Sequence, residues 1–208
     1  DQSDKTLVNA NFNGKKFEYT VGNYGFHWVH NSIGALAVVE SLGADVSQAA
    51  NDFSGLRPRE GRGRFHKLKT NGLTFGLIDD SYNANPASVS AAIAALSKFP
   101  NSNSGRRILV LGDMLELGNN EKKFHTDLAT QIITSNISLV FATGNLMKNM
   151  FFELPEERRA IWSEKKSELG DALCSGLSQG DLILVKGSFG MGMREVVIRL
   201  LDLGSEGK

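Results

Sequence analysis

Residues able to do chemistry gather at several points of this chain, each directly behind a short apolar run. Asp79-Asp80-Ser81-Tyr82-Asn83-Ala84-Asn85-Pro86 follows residues 73–78 (LTFGLI), and Gly112-Asp113-Met114-Leu115-Glu116-Leu117-Gly118 follows residues 108–111 (ILVL). Thr143-Gly144-Asn145 follows residues 139–142 (LVFA), and Lys186-Gly187-Ser188 follows residues 182–185 (LILV). Adjacent carboxylates at Asp79 and Asp80 repel unless a cation, a hydroxyl pair or an arginine stands near, which makes Asp80 a candidate binding group. Asn85-Pro86 has a simpler explanation: the asparagine caps a helix and the proline fits its first turn. That leaves Asp79, Asp80 and Asn83 to be accounted for. Asp113 and Glu116 are candidates too, although Gly112 and Gly118 also fit a loop shaped around Asp113. Lys186 must leave the core toward the strand end and is a further candidate. Ser188 is either a ligand group or an N-cap. His125 shares a helix face with Leu128 and Ile132, which favours a structural histidine.

Two more segments carry polar chemistry. Residues 56–64 (LRPREGRGR) are rich in arginine and glycine. Arginine holds phosphate or carboxylate with two N–H groups, and the glycines of Gly61-Arg62-Gly63 let backbone approach a ligand. Arg62 alone is therefore the candidate, and Arg64 reads as surface. Arg57 and Arg59 read as solvated. Asn31, behind His27 and His30, is expected at a loop-to-helix junction. There its amide either caps the helix or offers a donor and an acceptor to a purine edge. Gly187, Gly190 and Gly192 lack the G-x-G-x-x-G spacing of a dinucleotide loop.

These groups need elements to position them. Residues 6–21 predict a hairpin: Phe17, Tyr19 and Val21 alternate with polar residues, and Asn13-Gly14 is a two-residue turn signal. A helix is expected from Asn31 to Gly43, and a second after Asp45, with Gln48 completing a capping-box pattern. The arginine-rich stretch marks a domain boundary. Beyond it, strands at 73–78, 108–111, 139–142, 160–162 and 182–185 alternate with helices at 86–99, 120–135, after Asn145, 163–177 and 192–203. That alternation predicts an α/β fold: a Rossmann-like, open, mostly parallel sheet with helices on both faces. Flat apolar runs such as ILVL suit strands buried on both sides. Ligands of such sheets bind beyond the carboxyl ends of the strands, where the polar clusters fall. Residues 204–208 read as a frayed tail.

Composition narrows the classes. The 208 residues carry 23 basic and 23 acidic side chains, so a bulk electrostatic grip on nucleic acid is not expected. One cysteine excludes an intrachain disulfide and a Cys-cluster metal site, and fits a cytoplasmic protein. No apolar run reaches the ~20 residues that span a bilayer, so membrane insertion is not expected.

Taken in order, Gly25-x-His27-x-x-x-Asn31 before an alanine-rich helix, Gly61-Arg62-Gly63, DDSYNANP (79–86), VLGDMLELG (110–118) and Val185-Lys186-Gly187-Ser188 resemble the Mur ligase family over nearly the whole chain. The DDSYNANP and LGDMLELG strings resemble the branch that joins D-alanyl-D-alanine to UDP-N-acetylmuramoyl-tripeptide in peptidoglycan precursor synthesis. The resemblance implies an ATP-dependent ligase working through an acyl phosphate, with Mg2+ as cofactor. It also implies that residues 1–64 are the end of a central ATP-binding domain and residues 65–208 the C-terminal domain. A phosphate loop G-x-x-x-x-G-K-[ST] is absent: the Gly-Lys pairs, Gly14-Lys15 and Gly207-Lys208, do not fit it. The chain is thus expected to be a C-terminal fragment that does not ligate alone, with the magnesium ligands upstream. By resemblance, Asn31 contacts adenine, Asp80 the ribose hydroxyls, Arg62 the phosphates or ribose, and Asn83 and Tyr82 the phosphate side. Asp113, Glu116, Lys186 and Ser188 line the acceptor side, with Lys186 facing the dipeptide carboxylate. Phe189-Gly190 departs from the arginine that many relatives carry after Lys-Gly-Ser. The alternatives are a sibling ligase, folylpolyglutamate synthase, or a Rossmann-like binding module without chemistry.

Overall fold

A computed structural model describes residues 5–12, 14–22, 26–99 and 105–206. The chain divides into two compact units, which meet between Pro58 and Arg59. The division falls inside the arginine-rich stretch and leaves Arg59 to Arg64 with the second unit.

In the first unit, β1 (Thr6–Phe12) and β2 (Lys15–Val21) form the expected antiparallel hairpin. Gly14 sits at φ 84, while Asn13, the other half of the turn signal, lies outside the described residues. Helix α1 (Phe26–Ser41) and helix α2 (Val46–Asp52) complete the unit. Asp45 caps α2 by accepting from the Ser47 and Gln48 N–H groups at 2.8 and 3.1 Å. Val8, Tyr19, Val21, Leu36 and Ala50 make its small core, and the Tyr19 hydroxyl meets Ser32 Oγ at 2.7 Å.

The second unit is a seven-stranded sheet flanked by helices. Its chain order is β3 (Arg64–Thr70), β4 (Leu73–Asp80), α3 (Pro86–Lys98), β5 (Arg107–Gly112) and α4 (Glu121–Ile133). β6 (Leu139–Thr143), α5 (Asn145–Glu153), β7 (Arg159–Trp162), α6 (Lys166–Gly176), β8 (Leu182–Lys186), α7 (Arg194–Leu203) and β9 (Ser205–Glu206) follow. The spatial order is β7-β6-β5-β8-β4-β3-β9, parallel from β7 to β4 and antiparallel between β4 and β3. Two features depart from expectation. β3 is a strand that alternation alone did not suggest, and Asn71-Gly72 (φ 46 and 80) turns it back into β4 as a primed hairpin turn. The segment expected to fray instead pairs: Ser205 and Glu206 add to the edge of β3.

Phe75, Leu77, Ile108, Val110, Phe141, Ile183 and Val185 cover one sheet face and pack on Leu169 and Leu173 of α6 and Val197 and Leu200 of α7. Burying each such side chain contributes about 1.5–3 kcal/mol. The alternate residues Leu109, Leu111, Val140 and Ala142 are buried on the other face. Connections from β4 through β7 step one way along the sheet, and those from β8 step back. Right-handed crossovers therefore send α3, α4 and α5 to one face and α6 and α7 to the other. α4 packs on α3 and α5, and α6 on α7, as this requires. β8 thus lies between strands whose following helices leave to the opposite face. Open α/β sheets bind ligands at the carboxyl end of such a strand. The far end of the sheet is closed instead by Arg106, which bonds Asp181 at 2.6 Å; that hydrogen bond raises the guanidinium pKa above its ordinary range.

Candidate ligand site at the carboxyl edge of the sheet

The parallel register aligns the polar clusters at the carboxyl ends of β4, β5 and β8. Asp80 is the register neighbour of Lys186 across β4 and β8, and Leu111 is its neighbour across β5 and β8. The Lys186 ammonium donates to Asp80 Oδ2 at 2.7 Å and to the Asn83 carbonyl at 2.8 Å. Its side chain is 3% exposed, whereas that of Asp80 is 27% exposed. A buried ammonium is stable only when paired, so the lysine fixes the position of the partly exposed carboxylate.

Ser188 ties neighbouring loops together. Its hydroxyl accepts from the Leu115 N–H at 2.8 Å and donates to the Ala84 carbonyl at 3.2 Å, and its N–H donates to the Asp113 carbonyl at 3.0 Å. The Asn83 side chain accepts from the Ala84 N–H at 2.9 Å. Asn85 caps α3 in a reciprocal box with Ser88, the simpler role expected for it.

Asp113 is buried, and it grips a helix rather than facing outward. Oδ1 accepts from the Met147 N–H at 2.7 Å and Oδ2 from the Leu146 N–H at 3.2 Å. A carboxylate on the first N–H groups of a helix also meets the positive end of its dipole. Gly144 (φ 102) is needed there because a Cβ would collide with the Asp113 carboxylate. Glu116 is exposed and holds a left-handed backbone, φ 62. His125 is buried and satisfied: the Met114 N–H donates to Nε2 at 2.8 Å, so the proton sits on Nδ1, 2.6 Å from the Glu121 carbonyl.

At the β4 side, Asp79 is fully buried and anchors the arginine loop. Its Oδ2 accepts from the Gly61 N–H at 2.8 Å and from Arg194 Nη1 at 2.5 Å, and Oδ1 accepts from Ser81 Oγ at 2.5 Å. Arg62 is exposed, with its guanidinium carbon 4.2 Å from the Tyr82 ring centre, a cation–π contact. The exposed Phe189 ring lies 5.6 Å from Tyr82 on its other contact. Arg64 is half-buried at the start of β3, opposite Asp79 in the register.

The structure therefore brings Arg62, Asp80, Tyr82, Asn83, Asp113, Lys186 and Ser188 to one edge of the second unit. Asn31 belongs to the first unit. It is exposed and lies inside α1, which begins at Phe26, so it does not stand at the helix start and is not a cap. Arg194 reaches this edge by bonding Asp79 and Glu60, a placement the sequence does not reveal. Its one local mark is a cation in the first turn of a helix, where the dipole disfavours positive charge. Among the described residues no group of three or more His, Cys, Asp or Glu side chains converges to hold a metal ion. Nor is any described helix long and apolar enough to cross a membrane.

A doubly wound sheet with polar residues gathered at the end of β8 defines a Rossmann-like α/β domain. Residues 63–189 match the Mur ligase, glutamate ligase domain model, and the chain belongs to the Mur ligase family. It is 36% identical over 183 residues to the UDP-N-acetylmuramoyl-tripeptide–D-alanyl-D-alanine ligase of Bacillus subtilis, covering 86% of this chain and 38% of that protein. The fold matches UDP-N-acetylmuramoylalanyl-D-glutamyl-2,6-diaminopimelate–D-alanyl-D-alanyl ligase from Acinetobacter baumannii with a TM-score of 0.81 at 22% identity, over 96% of this chain and 42% of that one. It also matches MurF ligase from Thermotoga maritima in complex with ADP, with a TM-score of 0.72 at 22% identity, over 94% and 45%. The chain thus spans about two fifths of the length of the curated relatives it matches.

Proposed function

We propose that this chain is the C-terminal part of an ATP-dependent ligase that joins D-alanyl-D-alanine to UDP-N-acetylmuramoyl-tripeptide, a step of peptidoglycan precursor synthesis in the cytoplasm. The reading is supported by its B. subtilis relative and by the Asp80–Lys186 pair at the carboxyl end of β8. That pair is the observation that carries it: a partly exposed carboxylate fixed by a buried lysine at a strand end suits recognition of hydroxyl donors, as on a ribose. The ADP recorded with the T. maritima relative is consistent with a nucleotide there.

In this reading residues 1–58 are the end of the central nucleotide-binding domain, and Asn31 contacts adenine. The phosphate loop and the Mg2+ ligands come from the remainder of a longer protein. ATP transfers its γ-phosphoryl group to the terminal carboxylate of the UDP-linked tripeptide. The dipeptide amine then attacks the acyl phosphate, loses a proton, and phosphate leaves with its bonding pair as the amide forms. Such a reaction depends on positioning and charge neutralisation rather than on a covalent enzyme intermediate. Arg62 and Tyr82 serve the nucleotide end, and Asn83 orders the loop between the ends. Lys186 orients Asp80, Ser188 joins the two loops, and Asp113 sets the α5 end of the acceptor side. Glu116 is exposed and available to the incoming ammonium.

The test uses the full-length protein. Ligation should require ATP and Mg2+ and prefer D-alanyl-D-alanine over diaminopimelate, lysine or glutamate. Asp80→Asn should raise the ATP KM by roughly tenfold with a smaller change in kcat. An unchanged ATP KM removes Asp80 from the site, and preference for another acceptor overturns the assignment. The 208-residue chain alone should show no turnover.

A further inference from the structure

Arg194 carries a positive charge into the first turn of α7, where the helix dipole opposes it. It is held there by two carboxylates. Nη1 bonds the buried Asp79 at 2.5 Å and Nη2 bonds Glu60 at 2.6 Å. The planar fork of an arginine suits such a bridge, one nitrogen to each acceptor. Both acceptors belong to the anchorage of one loop. Glu60 lies in it, and Asp79 also accepts from its Gly61 N–H, while the Asp79 carbonyl accepts from the Gly63 N–H at 2.8 Å. The Tyr82 N–H closes the arrangement by donating to the Gly61 carbonyl at 3.0 Å. Gly61 stands at φ 74, and a Cβ on it would approach the Tyr82 Cβ to 2.9 Å, so the loop lies tight against the residue on which Arg62 stacks.

We propose that Arg194 is a positioning residue: through Asp79 and Glu60 it holds the loop 59–63 so that Arg62 stays over Tyr82 at the nucleotide end of the site. The inference rests on the nucleotide reading given above for that end, but the latch itself is a feature of this unit alone. An exposed arginine must otherwise surrender much rotamer freedom when it binds a ligand. Fixing its backbone from both sides and stacking its guanidinium removes part of that cost in advance. The buried Asp79 arm is the stronger of the two, and the Glu60 arm, 65% exposed, adds less.

The test has two arms. In the 208-residue chain, amide hydrogen exchange at Gly61 and Gly63 is compared for the parent, Arg194→Met, Arg194→Lys and Glu60→Gln. Arg199→Met is the control, since Arg199 lies on the same helix but pairs with Asp171 at 2.9 Å. Exchange should quicken by roughly tenfold or more in Arg194→Met, by less in Arg194→Lys and Glu60→Gln, and not in the control. In the full-length protein the ATP KM should rise about fivefold in Arg194→Met with kcat within about twofold, and stay unchanged in the control. Unchanged exchange overturns the latch. Faster exchange with an unchanged ATP KM overturns positioning and leaves a structural bond. If Arg194→Met does not fold, the surface variant Glu60→Gln decides by the same two criteria. A full-length parent that neither binds nor turns over ATP overturns the nucleotide reading itself, and does so before any variant is made.

Discussion

The ends of β4 and β5 look alike in the sequence and work differently in the fold. Each offers a leading acid, Asp79 or Asp113, and a second one, Asp80 or Glu116. In both cases the leading acid is buried and holds backbone: Asp79 grips the 59–63 loop and Arg194, and Asp113 grips the first N–H groups of α5. In both cases the second acid reaches solvent. The ends differ in how that second acid is fixed. Asp80 is bound to a buried lysine, whereas Glu116 stands on a left-handed backbone with an exposed side chain. A preorganised carboxylate suits a ligand that must be bound the same way each time. An exposed one suits a group that arrives and leaves. Burial sorts carboxylates into builders and binders more sharply than sequence position does.

That contrast can be broken most forcefully at Asp79. Asp79→Ala leaves Arg194, the Gly61 N–H and Ser81 without their acceptor, and should lower stability by about 3–5 kcal/mol in urea denaturation. A loss below about 1 kcal/mol would show that water replaces the carboxylate and that it is no builder. Gly144→Ala should come next. It drives a Cβ into the Asp113 carboxylate and strains a φ of 102, for a loss of about 1–3 kcal/mol. Asp113→Ala removes a cap from α5 and should cost about 1–2 kcal/mol, with faster exchange confined to the Leu146 and Met147 amides. Exchange spread evenly through the sheet would contradict a capping role. Glu116→Ala should leave stability within about 0.5 kcal/mol or raise it slightly, because it relieves no buried bond. In the full-length protein it should raise the KM for the dipeptide and not for ATP.

The smallest effect lies away from both strand ends. Burial pushes the Cys174 thiol on α6 above its ordinary pKa. The native state therefore keeps a proton that the unfolded chain gives up above about pH 8.5. Its contribution to stability is complete below that value and fades as pH rises through the native pKa. Cys174→Ser should flatten the alkaline limb of the stability profile, and thiol modification at pH 8 should be slower in the native chain than in urea. Equal rates would mean that the thiol is not shielded.

Much of this architecture is written in local pattern. The apolar runs ILVL, LVFA and LILV identify β5, β6 and β8 because strands buried on both faces carry no polar alternation. The residues DDSYNANP and LGDMLELG mark the loops at the ends of β4 and β5, and Asn85-Pro86 marks the start of α3. β3 was less legible because RFHKLKT puts charge at alternate positions of an edge hairpin, although Asn71-Gly72 was there to signal it. The pairing of Ser205 and Glu206 had no local signal, since it depends on an edge supplied by β3. Asn31 misled because helix starts are soft, and α1 begins before the last residue that could have capped it.

The sequence by itself determined which residues stand at strand ends and which family's motifs they compose, because both follow from short-range periodicity and from order along the chain. Only the tertiary structure decided what each carboxylate does. Asp79 and Asp80 are neighbours with the same chemistry. Their roles part because successive side chains of a strand point to opposite faces, one into a closed packing of backbone amides and an arginine, the other toward Lys186 at the carboxyl end of β8.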